Sequence, residues 1–127
     1  MFAMRKTVRG STPRIDFSSI AKHVLGKEYE LSLVVCGDDL ARRMNASYRK
    51  KTYKPNVLSF PLSKSEGEIF LNVRKAAREA REYGVSHRER LTLLYVHGLW
   101  HLKGFDHGAK MEALEKQTLK KFGFAAD

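Results

Sequence analysis

Leu91–His107 reads LTLLYVHGLWHLKGFDH, and as far as Leu102 it is apolar apart from Thr92, Gly98 and two histidines. With Ser86 as a cap before it and Gly104 as a stop after it, the segment predicts a largely buried helix from about His87 to Lys103. His97 and His101 stand four residues apart, so the helix presents both imidazoles on one face. Gly104 lets the chain turn, and His107 follows three residues later, completing H-x-x-x-H-x-x-G-x-x-H. Three neutral imidazole nitrogens suit a borderline cation such as zinc, one ion per chain. Three protein ligands also leave a fourth position open, as catalytic rather than structural sites do. The alternative is a set of hydrogen-bonded core histidines. His23 and His87 lie outside the cluster and read as ordinary surface or capping residues. Asp106 either orients an imidazole or caps the final helix.

Working outward, the chain alternates helices and short strands without repeats or linkers. Phe2–Val8 fits an edge strand, and Thr12-Pro13 offers the start of a helix whose apolar face, Ile15, Ile20, Val24 and Leu25, ends at Gly26. Glu30–Cys36 reads as a buried strand stopping at Gly37. Asp38 or Asp39 then caps a helix to about Tyr48, with Leu40, Met44 and Ser47 turned inward. Val57–Phe60 and Ile69–Leu71 predict two more strands joined across the polar segment 62–67, the first expected to be internal, with an edge along which substrate lies, as in metzincins, as the alternative. Val73–Tyr83 is a charged helix ended by Gly84, and a last helix spans about Lys110–Phe122, turning Met111, Leu114, Thr118 and Leu119 inward. The sum is one α/β (α+β) domain over residues 1–127, with a small mixed four-stranded sheet covered by about five helices.

Composition is that of an ordinary globular protein: 127 residues, 43% hydrophobic and 30% charged, which excludes disordered and fibrous classes. A net charge of +10 favours polyanionic partners, nucleic acid first. The charge is concentrated. From Leu40 to Ser65 there are Arg42, Arg43, Arg49, Lys50, Lys51, Lys54 and Lys64 and no acidic residue, interleaved with Tyr48 and Tyr53. Cys36 is the only cysteine, so no intramolecular disulfide forms. No stretch resembles a signal peptide or a membrane span, and a cytoplasmic protein is expected.

The histidine spacing is that of the metzincin proteases, but their general-base glutamate would follow the first histidine, where this chain has Gly98. Peptide hydrolysis by that route is disfavoured, whereas the same metal chemistry can attack a phosphodiester. At this point the chain resembles the bacterial YbeY endoribonuclease family, whose signature H-G-x-L-H-L-x-G-[YF]-D-H is matched by His97–His107. Asn45–Pro61, NASYRKKTYKPNVLSFP, is similar to the family's N-x-x-Y-R followed by T-[DN]-V-L-S-F-P, and Gly67-Glu68-Ile69 to its G-D-I strand. Trp100 stands where leucine is usual, Pro55 replaces a threonine, and the acidic residues that commonly follow the third histidine are missing.

The resemblance implies a single-strand-specific endoribonuclease that processes the 3′ end of small-subunit (16S) ribosomal RNA and serves ribosome maturation and quality control. By the same likeness His97, His101 and His107 are the metal ligands and Arg49 is the functional arginine. Arg49 would then bind phosphate, Lys50, Lys51 and Lys54 would guide the strand, and Tyr48 and Tyr53 would either stack on unpaired bases or pack in the core. The implied partners are single-stranded RNA and the small ribosomal subunit. Whether a ribosomal protein or a GTPase delivers the protein to its target is left open. Two rival functions remain: a metzincin-like metallohydrolase acting on peptides or small molecules, and a ribosome-binding module with a structural metal.

Overall fold

Alternation along β2 (Glu30–Cys36) sets the layers of this computed structural model, which describes residues 1–124. Leu31, Leu33 and Val35 point to one side of the sheet and Val34 and Cys36 to the other. Because both sides are apolar, the strand must be covered on both faces, as parallel sheets are. The sheet order is β1 (Phe2–Lys6), β2, β4 (Glu66–Asn72), β3 (Val57–Ser63). The first three strands are parallel and β3 runs antiparallel along β4 at the edge.

One face packs against α1 (Phe17–Leu25), α3 (Val73–Tyr83), α4 (His87–Leu102) and α5 (Ala109–Lys121). Leu33, Ile69, Leu71, Leu91, Tyr95, Val96 and Leu99 are fully buried there. The other face is covered by α2 (Asp38–Arg49), whose Ala41 packs with Val34, Cys36, Leu58 and Phe70. Cys36 is a buried free thiol, and its burial pushes its pKa up to about 12, so it is inert as a nucleophile. Among the described residues no helix is long and apolar enough to cross a membrane.

The close approach of α4 to the sheet explains Gly98. A Cβ there would sit 3.0 Å from Ser59 Oγ, 3.2 Å from Val57 and 3.3 Å from Ile69, so a side chain would crowd β3 and β4 and those side chains would have to give way. Ser59 Oγ donates a 3.0 Å hydrogen bond to the Gly98 carbonyl at the same contact. The loop from Lys50 to Asn56 is held by two buried asparagines. Asn45 Nδ2 donates to the Tyr53 carbonyl at 3.0 Å. Asn72 Nδ2 donates to the Pro55 carbonyl and to Asp38, while its Oδ1 accepts the Arg74 and Lys75 amides and caps α3.

Several expected boundaries move. Helix α1 begins at Phe17, not at Pro13, because Asp16 supplies the cap by accepting the Ser19 amide, leaving Ile15 outside the helix. Strand β1 stops at Lys6. Asp38 and Asp39 lie inside α2 after Gly37 and cap nothing with their side chains, and Ser47 is exposed while Ala41 and Asn45 are buried. The pair β3–β4 is a longer hairpin than the apolar runs suggested, and β3 continues through Pro61. Proline is tolerated there because β3 is an edge strand, not an internal one, and on its outer side no strand requires the N–H that proline lacks.

Candidate metal centre

Successive turns of α4 carry His97 and His101, whose Nε2 atoms lie 3.2 Å apart. The turn at Gly104, with φ of +107°, swings the chain back so that His107 joins them. The His107 ring centroid is 4.9 Å from each of the other two, and one ring nitrogen from each histidine lies within 4.8 Å of the others.

The remaining nitrogens of the helical pair are already engaged. His97 Nδ1 lies 2.5 Å from Glu115 Oε2 on α5, and His101 Nδ1 lies 3.0 Å from the Phe105 carbonyl. Both partners are acceptors, so each Nδ1 carries a proton, and in the neutral ring this leaves Nε2 with a free lone pair. Burial, and then the neighbouring His97 and His107, lower the His101 pKa, favouring the neutral ring that a cation needs. Two lone pairs converging with a third imidazole, each backed by an acceptor in the helical pair, fit a divalent cation of borderline softness.

The cluster opens on one side into a groove of about 590 Å³ along the β3 edge, lined also by Arg49, Tyr53, Asn56, Val57, Ser59 and Pro61. Arg49 is the last residue of α2, exposed, and makes no ion pair or side-chain hydrogen bond among the described residues. Asn56 is tied to Glu79 at 3.3 Å, and Glu79 in turn to Arg90 at 2.9 Å. The groove therefore sets one uncompensated guanidinium across from three imidazoles, an arrangement suited to an anionic group bound between them.

The basic block is not brought together as a unit. Arg49 and Tyr53 line the groove, but Tyr48 leans on Phe60 with ring centroids 5.5 Å apart and stays exposed outside it. Neither tyrosine packs in the core, being 67% and 52% exposed. Lys50 terminates α2 in the left-handed conformation, φ 57°, and both it and Lys51 point to solvent. Lys54 lines a different depression. Asp106 takes neither role anticipated for it: Glu115 and the Phe105 carbonyl hold the imidazoles, and α5 starts without a side-chain cap. Glu115 escaped the sequence reading. Its signal was an acidic residue four positions after Met111 and three before Thr118, on the stripe that α5 turns inward.

A family profile described as endoribonuclease YbeY matches residues 7–123. Among curated proteins, an endoribonuclease YbeY from Aromatoleum aromaticum is 43% identical over 94 residues, 72% of this chain and 61% of that protein. One from Geobacter metallireducens is 35% identical over 126 residues, 84% of this chain and 83% of that protein. One from Heliobacterium modesticaldum is 34% identical over 119 residues, 76% and 72% of the two chains. The chain thus spans less than two thirds of the first of these and more of the other two. A solution structure of a Thermotoga maritima protein superposes with a TM-score of 0.71 at 21% identity, covering 96% of this chain and 89% of that one, which establishes the shared fold.

Proposed function

Because the chain belongs to the YbeY endoribonuclease family, we propose that it is a metal-dependent endoribonuclease of ribosomal RNA maturation that cuts single-stranded RNA in the groove between the three histidines and Arg49. The observation that carries this reading is the meeting, across one open groove, of three imidazoles and an unpaired guanidinium contributed by an element on the opposite face of the sheet.

His97, His101 and His107 would hold the cation, for which zinc is the choice their all-nitrogen donor set favours. When bound, that cation supplies Lewis acidity toward a phosphoryl oxygen. Arg49 binds a non-bridging oxygen of the same phosphate through its forked donors and stabilises the charge that grows as the phosphorus becomes five-coordinate. Tyr53, half-exposed on the groove wall, offers a ring face to an unpaired base, a contact that a base inside a duplex cannot make. Glu115 and the Phe105 carbonyl keep the helical imidazoles in the tautomer that ligates. A peptidase reading is the poorer fit, since the place of its general base is filled by sheet packing against Gly98.

By family likeness the substrate is the 3′ end of small-subunit ribosomal RNA, met on the small ribosomal subunit in the cytoplasm. The deciding experiment incubates zinc-loaded protein with a fluorogenic single-stranded RNA, the corresponding duplex and a fluorogenic peptide. Cutting of the single strand alone is expected. A peptide cut while the RNA stays whole would replace this reading with a metallohydrolase, and neither cut, with metal bound, would favour a binding module.

A further inference from the structure

A second depression, of about 650 Å³, opens at the carboxyl ends of β1 and β2 beside the start of α3, away from the histidines. It lies where the chain reverses face: β2 leads into α2 on one side of the sheet, while β1 and β4 lead into α1 and α3 on the other, leaving a crevice between. Arg43 of α2, Lys54 of the loop, and Arg74 and Arg78 of α3 line it, with Asp38 and Asp39 as its carboxylates.

These charges do not cancel. Arg78 grips Asp38 with both nitrogens, at 2.8 and 2.9 Å, and together with Asn72 lowers that carboxyl to about 2, so this pair is spent on itself. Arg74 donates to the Arg9 carbonyl at 2.9 Å, a neutral partner that leaves its charge uncompensated. Arg43 and Lys54 make no side-chain hydrogen bond or ion pair among the described residues. Arg43, Lys54, Arg74 and Arg78, from three elements, thus stand against two carboxylates, Asp38 and Asp39, and the lining keeps a net positive charge. Such an open, polar, cationic depression suits a phosphodiester backbone better than a small apolar ligand.

The two depressions meet at one loop. Tyr53 lines the histidine groove, and Lys54, the next residue, lines the crevice. Asn45 holds the Tyr53 carbonyl, Lys75 Nζ the Lys54 carbonyl and Asn72 the Pro55 carbonyl, so the chain is fixed on both sides of the point where these neighbouring side chains diverge. We propose that the crevice at the strand ends is a second contact for the RNA backbone, gripping phosphates that lie past the loop from the scissile bond. This rests on the endoribonuclease reading of the histidine groove, and it makes the protein prefer strands long enough to reach both places.

The test compares wild type with Arg43→Glu/Arg74→Glu and with a control of equal charge, Lys120→Glu/Lys121→Glu, all four positions being exposed. Two single-stranded RNAs are used, one of about four nucleotides and one of about sixteen, spanning the footprints of single-strand sites. For the crevice variant, KM for the long RNA should rise about tenfold or more with kcat unchanged, while cleavage of the short RNA stays at the wild-type rate. In binding measured by anisotropy, the slope of log affinity against log salt for the long RNA should fall by about 0.7 per phosphate contact removed. The control should do neither. An unchanged slope and KM would overturn the proposal, as would equal losses on short and long RNA or equal losses in the control, either of which would assign the effect to the overall field. The salt slope needs no cleavage, so a wild type that binds the long RNA but never cuts it would defeat the endoribonuclease reading while leaving the crevice to stand or fall on its own slope.

Discussion

The two walls of the histidine groove are built in opposite ways. The histidine wall is a helix buried by Leu94, Tyr95, Val96 and Leu99, drawn onto the sheet at Gly98 and backed by Glu115. The arginine wall is the exposed end of α2 and a loop tied down by backbone contacts to Asn45 and Asn72. The difference fits what the proposed function would ask of each wall. Nitrogens that ligate a metal would have to be held to tenths of an ångström, and two of the three sit on a packed helix with each Nδ1 engaged by an acceptor. A guanidinium on a long, solvated side chain can follow a phosphate through small changes of position, and needs reach more than rigidity.

Substitutions at four positions break or sharpen that contrast, in order of decreasing effect. On the histidine wall, His101→Ala removes a nitrogen donor, and both metal content and RNA cleavage should be lost. The rate loss should exceed the roughly 10²–10³-fold that one electrostatic donor is worth. Retention of one equivalent of metal after dialysis, measured by elemental analysis, would show that His101 is no ligand. On the other wall, Arg49→Glu should lower kcat by about 10²–10³-fold with metal content unchanged. A variant that loses metal as well would show that the two walls are not independent.

Glu115→Ala probes the support behind the histidine wall. Metal affinity, read by competition with a chromogenic chelator, should weaken about 10–100-fold, with Glu115→Gln in between because it retains an acceptor. Wild-type affinity in both would reduce the 2.5 Å contact to mere packing. The smallest effect is expected from Asp38→Asn, which loosens the anchorage shared by α2 and the Arg49 loop. Asp38 is held at about 2 in the folded chain, chiefly by the Arg78 hydrogen bond, against about 3.9 for a free aspartate. Its contribution is therefore full above about pH 4 and vanishes as pH falls through 2. Because Arg78 is half-exposed, we expect about 1 kcal/mol, or roughly 4 °C in Tm, at pH 7, shrinking toward zero near pH 2. A Tm difference that is constant across that range would remove the ion pair as its cause.

The histidine wall was legible and the arginine wall only in part. His97, His101 and His107 are close in sequence, so helical spacing and one glycine turn suffice to place them together. The strand and helix types were readable at Glu30–Cys36, a short apolar run that stops at Gly37, and at Val73–Tyr83, a charged run closed by Gly84. The start of α1 was misplaced because Thr12-Pro13 and Asp16 both look like helix starts and only packing chooses between them. Pro61 disguised the length of β3, since whether proline interrupts a strand depends on having a neighbour on that side. The basic block read as one patch because linear proximity hides direction: Tyr53 and Lys54 are adjacent yet line separate depressions.

By itself, the sequence determined the three-histidine constellation and the buried helix that carries two of them, which depend on short local spacings, and the identity of the family, which rests on those residues together with Asn45–Pro61. Only the tertiary structure decided which acceptor backs His97, that β3 is an edge strand, and that Arg49 rather than Lys54 faces the histidines. Those outcomes join residues from α2, β3, α4 and α5, and packing of the layers, not local periodicity, sets where such distant side chains meet.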